Sequence, residues 1–199
     1  SGLSEMDALA LLELDSVSRG LRSLDALVKK APVTVLEANL VEPGHYLILF
    51  AGGVAEVEEA FEEGAAVGGA HVLDRMLLPY AHPSLLEGLS GEELSWGADV
   101  LDTLGVMEGE RVAPTLHAVD RALKEAAVAL VGLRVAVGLG GRAWFVVCGA
   151  QHDVEASLDA GRTVLDAAQA SHASELIPRP HEEMVPWLLR RPPFSLGGG

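Results

Sequence analysis

Cys148 is the only cysteine in the 199-residue chain. One thiol cannot close an intramolecular disulfide, so the fold depends on its packed core, and the chain reads as cytoplasmic. Basic residues are also scarce: 14 Lys and Arg stand against 29 Asp and Glu, a formal net charge of -15 at pH 7. Nucleic acid and anionic membranes both require a positive surface, so neither is expected as a partner. No apolar run reaches the ~18 residues needed to span a bilayer. Aromatic residues make up only 5% of the chain. What the chain does have is small and apolar: 49% is hydrophobic and 22 residues are glycine. That content suits one large domain or two of about 100 residues.

The chain repeats itself. "VAEVEEAFEEGAA" begins at Val54 and "DVEASLDAGRTVL" at Asp153, each after a strand-like run ending in glycine, "YLILFAGG" and "AWFVVCGA". Upstream, Leu9 aligns with Leu104, Glu13 with Glu108, Asp25 with Asp120 and Lys29 with Lys124, all at one offset. Gly44 aligns with Gly141, Gly52 with Gly149 and Gly64 with Gly161 at an offset larger by two residues. The two extra residues therefore fall in the turn before Gly141. Near the end of each copy "LLPYAH" answers "LIPRPH", placing His82 over His181. Two copies are too few for a solenoid.

Each copy reads as strand, helix, strand, turn, strand, helix, strand. In the first, Leu9–Leu14 is an apolar run, and Ser16 can cap the next helix. Val17, Leu21, Leu24 and Val28 recur at helical spacing, which predicts an apolar stripe on that helix. "VTVLEANLV" and "YLILFA" flank the turn "EPGH" and predict a hairpin. Val54, Val57 and Phe61 mark a second helix, and "HVLDRMLL" a last strand. The expected fold class is α+β, an α/β sandwich of two tandem ferredoxin-like β-α-β-β-α-β domains in unpermuted order. The expected boundaries are 7–90 for the first domain, 91–102 for a Gly-containing polar linker, 103–190 for the second domain and 191–199 for a tail.

No catalytic constellation emerges. "GLGGRA", Gly138–Ala143, matches a variant of the dinucleotide fingerprint, but that motif needs a helix after it and "AWFVVCG" predicts a strand. None of the seven histidines pairs at i, i+4, so no metal site is expected. His82 and His181 recur at matched positions, which points to a structural role. Cys148 sits within a strand as a small buried hydrophobe. Glu56, Glu58, Glu59, Glu62 and Glu63 form the solvated side of an amphipathic helix. Trp96, Trp144 and Trp187 are read as core or interface residues. His152 and Asp153 open a helix, with no nucleophile motif nearby.

Several motifs in sequence order resemble bacterial microcompartment shell domains. They are "LDALVKKAPV" and "VDRALKEAAV" at helix ends, the Gly-containing turns, "VEEAFEEGAA" after a strand, and "LIPRPH". The resemblance covers nearly the whole chain, twice. It implies the tandem-domain class of shell protein, a homotrimer whose six domains mimic a hexamer. Such a tile would meet hexameric and pentameric tiles in the microcompartment shell. It also implies a structural protein rather than an enzyme. Lys29, Lys124 and Arg179 would serve contacts at the tile edge, with His82 and His181 in the terminal signatures. Tyr80 stands where Arg179 has its counterpart, so alternate edges need not be equivalent. On residue chemistry alone, each lysine is equally a solvated side chain complementing a helix dipole.

In that family the turn between the second and third strands lines a pore on the three-fold axis. The matching residues are Glu42, Pro43, Gly44 and His45 in the first copy, and Gly138, Leu139, Gly140, Gly141 and Arg142 in the second. Small metabolites in transit are the implied ligands. Some tandem members hold an iron–sulfur cluster at a turn cysteine. Neither turn has one here, and Cys148 lies farther along its strand, so no cofactor is expected. A tandem ferredoxin-like regulatory domain binding a small metabolite is the alternative from a different class.

Overall fold

The first apolar run does not alternate because both faces of its strand are covered. In the computed structural model, which describes residues 6–90, 102–135 and 142–188, strand β1 (Ala8–Leu14) lies inside a sheet between two neighbours, and every residue except Glu13 is buried. Helix α1 (Val17–Lys30), strands β2 (Thr34–Val41) and β3 (His45–Gly52), helix α2 (Val54–Gly68), strand β4 (Val72–Leu78) and a short helix α3 (Pro83–Leu89) complete the first copy. The second copy repeats the series as β5 (Thr103–Gly109), α4 (Val112–Glu125), β6 (Ala129–Val135), β7 (Ala143–Gly149), α5 (Gln151–Ala167), β8 (His172–Pro178) and α6 (Val185–Leu188). Both sheets have four strands, in the orders β2-β3-β1-β4 and β6-β7-β5-β8, with antiparallel pairing throughout. This is the expected ferredoxin-like arrangement in each copy.

The strand register locates the two extra residues. Leu40 pairs with Tyr46 across the first hairpin and Val135 with Ala143 across the second. The second connection is therefore longer by two, as the shift in sequence offset requires. A strand, β7, follows "GLGGR", so those glycines do not open a helix.

The paired helices of each copy approach closely at the repeated glycines. A Cβ on Gly64 would stand 2.9 Å from Leu12 Cδ1 and 3.0 Å from Leu27 Cδ2. The hydroxyl of Ser23 donates to the Gly64 carbonyl at 2.9 Å, and in the second copy Ser157 donates to the Ala122 carbonyl at 2.6 Å. Ser16 caps α1 as expected, accepting from the Arg19 N–H at 3.2 Å.

The stripe on α1 splits: Val17 and Leu24 are half-buried against the core, and Leu21 and Val28 turn outward. Gly20, Ser23 and Leu27 are the buried residues of that helix, whereas Leu21 is 51% exposed and Val28 42% exposed. At about 100° per residue, the buried face is rotated by roughly 90° from the stripe. Small residues let α2 sit close, so the core side of α1 carries few large apolar groups.

Two short helices, α3 and α6, were not expected from sequence. His82 is the N-cap of α3, and its match His181 opens the turn that leads into α6. His82 Nδ1 accepts from the Ser84 N–H at 3.2 Å, and His181 Nδ1 accepts from the Glu183 N–H at 3.2 Å. The residue pattern hid these caps because Ser, Thr, Asp and Asn are the usual cap signals.

Two predictions follow from these contacts. Gly64→Val forces the helices apart and should cost about 1–3 kcal/mol, read as a lower urea midpoint. Gly161→Ala should cost less, because the nearest atoms are the flexible end of Met107. The second concerns pH. Burial lowers the pKa of His82 from its ordinary value, against the opposing pull of Asp120. The neutral ring is the form that accepts the Ser84 bond, so its stabilisation is complete above about pH 6.5 and is lost as pH falls below it. His82→Asn keeps an acceptor without titrating. Thermal melts from about pH 7 to about pH 5 should therefore show a shallower loss of Tm than in the unsubstituted chain.

Candidate assembly seam and pore turns

The face of each sheet turned away from its own helices decides how the two copies meet. In the first copy this back face carries Leu9, Leu11, Leu47, Leu49, Met76 and Leu78, all buried. They belong to one apolar cluster with Leu85 and Leu86 of α3 and with Leu116, Val119 and Leu123 of α4. The cluster is continuous from one copy into the other, so the two domains share a core.

Helix α4 lies in the seam. Leu116 is 0% exposed and Leu123 is 4% exposed, whereas their counterparts in α1 are the exposed Leu21 and Val28. The difference is the presence of a neighbour. Helix α4 packs on β4, and α3 packs on β6. No described element covers the corresponding face of α1, and β2 is exposed or half-buried except at Val41. On the other side of the second copy, β8 and α6 present the surfaces that correspond to β4 and α3, and they are half-buried or exposed.

Polar groups stitch the seam at both ends of α4. The Asp120 carboxylate, its side chain 3% exposed, accepts from the His82 backbone N–H at 2.7 Å and pairs with Lys124 Nζ at 2.7 Å. Lys124 Nζ also donates to the Tyr80 carbonyl at 2.5 Å. At the start of the helix, the Arg111 guanidinium pairs with Asp74 at 3.3 Å. A carboxylate so buried requires partners of this kind.

The expected edge residues thus divide. Lys124 and His82 meet at the seam inside the chain, with the Lys124 side chain still 39% exposed. Lys29 is 73% exposed and, among the described residues, pairs only with Asp25 of its own helix, at 2.7 Å. His181 is exposed, and Arg179 is exposed with a left-handed φ of 45°, its N–H donating to the Asp102 carbonyl at 2.6 Å. The matched pair Asp25 and Asp120 was visible in the repeat. Its role was missed, because an Asp four residues before a Lys on a helix is an ordinary surface pair.

Of the expected pore residues, Glu42, Pro43 and Gly44 form the exposed turn between β2 and β3, and His45 opens β3 half-buried. The Gly44 N–H donates to the Val41 carbonyl at 3.2 Å, and its φ of 96° lies where glycine is favoured. Arg142 is exposed immediately before β7. Gly138, Leu139, Gly140 and Gly141 lie outside the described residues, as do Trp96 and most of the expected linker and tail. Close to the first turn, Glu13 has its carboxyl pKa raised, chiefly by burial and also by Asp74, against the lowering effects of His45 and Arg111.

Cys148 is buried among Leu104, Val131 and Val146, and burial raises its thiol pKa. Burial likewise lowers the pKa of His117. Among the described residues no three His, Cys, Asp or Glu side chains gather as a metal site, and no helix is long and apolar enough to cross a membrane.

Comparison with known proteins places this geometry. The BMC domain model matches twice, over residues 8–81 and 103–180. The chain is 33% identical over 177 residues to the bacterial microcompartment shell protein PduT of Citrobacter freundii, spanning 89% of this chain and 95% of that one. A microcompartment protein from Desulfitobacterium hafniense has a crystal structure that superposes with a TM-score of 0.80 at 32% identity, covering 91% of this chain and 99% of that one. A fused permuted hexameric shell protein, MSM0275, from the RMM microcompartment shares the fold, with a TM-score of 0.58 at 21% identity, covering 83% of this chain and 84% of that one. With two matched domains in tandem and relatives similar along nearly their whole length, the chain belongs to the BMC-domain family of bacterial microcompartment shell proteins.

Proposed function

We propose that three copies of this chain close into a ring of six BMC domains and serve as a tile of the microcompartment shell, with a central pore for small metabolites. The observation that carries this reading is the half-used seam. Inside the chain, β4, α3 and the Tyr80–His82 segment cover α4 and β6. The same surfaces recur unpaired at the two outer sides, α1 and β2 on one and β8 and α6 on the other. A surface that pairs with a different surface by rotation generates a ring when the rotation closes. Two domains joined by one such step need two further chains to complete six.

The turns at Glu42–His45 and Gly138–Arg142 would then face the axis three times each. Glycines allow close approach there. Three Glu42 carboxylates repel unless paired or screened, and Arg142 supplies the opposite charge. The conduit is narrow and polar, suited to small charged metabolites. Lys29, Lys124 and Arg179 lie at the rim where tiles meet, and Lys124 keeps an outward face even while bonded in the seam. The role is structural, and hexameric and pentameric shell proteins are the partners.

Two measurements test this. Analytical ultracentrifugation should give about 63 kDa for three 20.9-kDa chains. A folded monomer at micromolar concentration, or a dimer whose melting responds to metabolites, would overturn the ring and favour a regulatory domain. In assembled shells, Glu42→Gln alone should raise the ratio of anion to cation flux, and Arg142→Ala alone should lower it. An unchanged ratio removes these turns from the pore.

A further inference from the structure

The seam inside the chain is a template for the contact between chains, and its polar groups bring in Asp25 and give Lys29, Arg179 and His181 a contact within the tile. Four positions make the inner clasp: Asp120, Lys124, the Tyr80 carbonyl and the His82 N–H. The repeat supplies a counterpart for each. Asp25 and Lys29 correspond to Asp120 and Lys124, and Arg179 and His181 to Tyr80 and His82. In the single chain these counterparts lie on opposite outer sides. Asp25 and Lys29 form an exposed i,i+4 pair, 61% and 73% exposed, where the inner pair is 3% and 39% exposed.

We propose that Asp25 and Lys29 are the open half of a charged clasp that closes on the terminal signature of a second copy of this chain. The Asp25 carboxylate accepts the backbone N–H of the partner subunit's His181. Lys29 Nζ donates to the backbone carbonyl of the partner subunit's Arg179. The inference rests on the ring proposed above and specifies the joint that holds it.

Three observations support a second copy as the occupant. The polar groups match one for one, in side-chain chemistry on the helix and in backbone atoms on the receiving segment. The apolar residues flanking them match as well: Leu21 and Val28 are the exposed equivalents of Leu116 and Leu123. The receiving segment repeats part of the inner geometry: the His181 ring accepts the N–H two residues on, as the His82 ring does, while Arg179 has a left-handed φ of 45° that Tyr80 does not share. One group does not repeat. The Arg111–Asp74 ion pair has Ser16 and Ala173 at the equivalent positions, so the outer seam lacks that pair and depends more heavily on the clasp.

Closing the clasp takes the Asp25 carboxylate out of water. It then needs both donors, because a buried carboxylate missing a partner is strongly unfavourable. Lys29 therefore acts within a tile, between its chains, and its remaining exposed surface is what a neighbouring tile would meet.

The test uses the full chain with Asp25→Ala, Lys29→Met and Lys29→Arg. In the single chain Asp25 makes only its exposed pair with Lys29, so the variants fold, which circular dichroism checks. Sedimentation over a dilution series reads the concentration at which trimers dissociate. Asp25→Ala should raise that midpoint on the order of tenfold to a hundredfold, the usual effect of losing a hydrogen bond to a charged group. Lys29→Met should raise it too, and Lys29→Arg should restore most of the loss. Amide exchange at His181 should be slow in the unsubstituted trimer and fast in Asp25→Ala. Trimers in which Asp25→Ala changes neither the midpoint nor His181 exchange would overturn the clasp and leave the ring standing. An unsubstituted chain that does not trimerise, or that assembles only with a different shell protein, would overturn both.

Discussion

A helix whose outward face is apolar must be covered, and that requirement on α4 organises the molecule. Its inner side packs on α5 and its own sheet, while Leu116 and Leu123 lie in the apolar cluster that extends to the back face of the first sheet. The first copy can cover it only by extending past β4 into the Tyr80–His82 segment and α3. The position of α3, the burial of Asp120 and the merging of the two cores all follow from that one contact. Fully burying side chains of this size is worth about 1.5–3 kcal/mol each, while a surface ion pair is worth about 1 kcal/mol or less. The apolar contact therefore holds the copies together, and the charged groups fix their register.

Much of this was legible in the sequence. Central strands such as β1 are covered on both faces, so their apolar runs are unbroken and easy to read. The repeat multiplied every weak signal by two, and a change of offset located the longer hairpin turn. Legibility stopped where a second body was involved. Periodicity found the stripe of Leu21 and Val28 but could not tell whether core or neighbour would cover it. Gly20, Ser23 and Leu27 are the buried face of α1, and the first two are too small to give an apolar signal. Nor could spacing reveal that Asp120 would be buried while Asp25 is exposed. Their local sequences are alike, and only the adjoining chain segment distinguishes them. The short helix α3 escaped notice because an imidazole caps it.

The inner seam is built from main-chain atoms on one side. Lys124 takes the carbonyl of residue 80, and Asp120 takes the N–H of residue 82, both main-chain groups. Tyr80 points its ring outward, 71% exposed. A joint that reads only the path of the backbone is indifferent to what that backbone displays. The Tyr80 side chain is thus uncoupled from the inner joint, although the backbone differs between the copies, Arg179 alone of the two having a left-handed φ of 45°. Drift in the side chain at residue 80 changes what the rim shows to its surroundings without removing either hydrogen bond of the inner joint, so surface identity and architecture can vary as separate properties of one molecule.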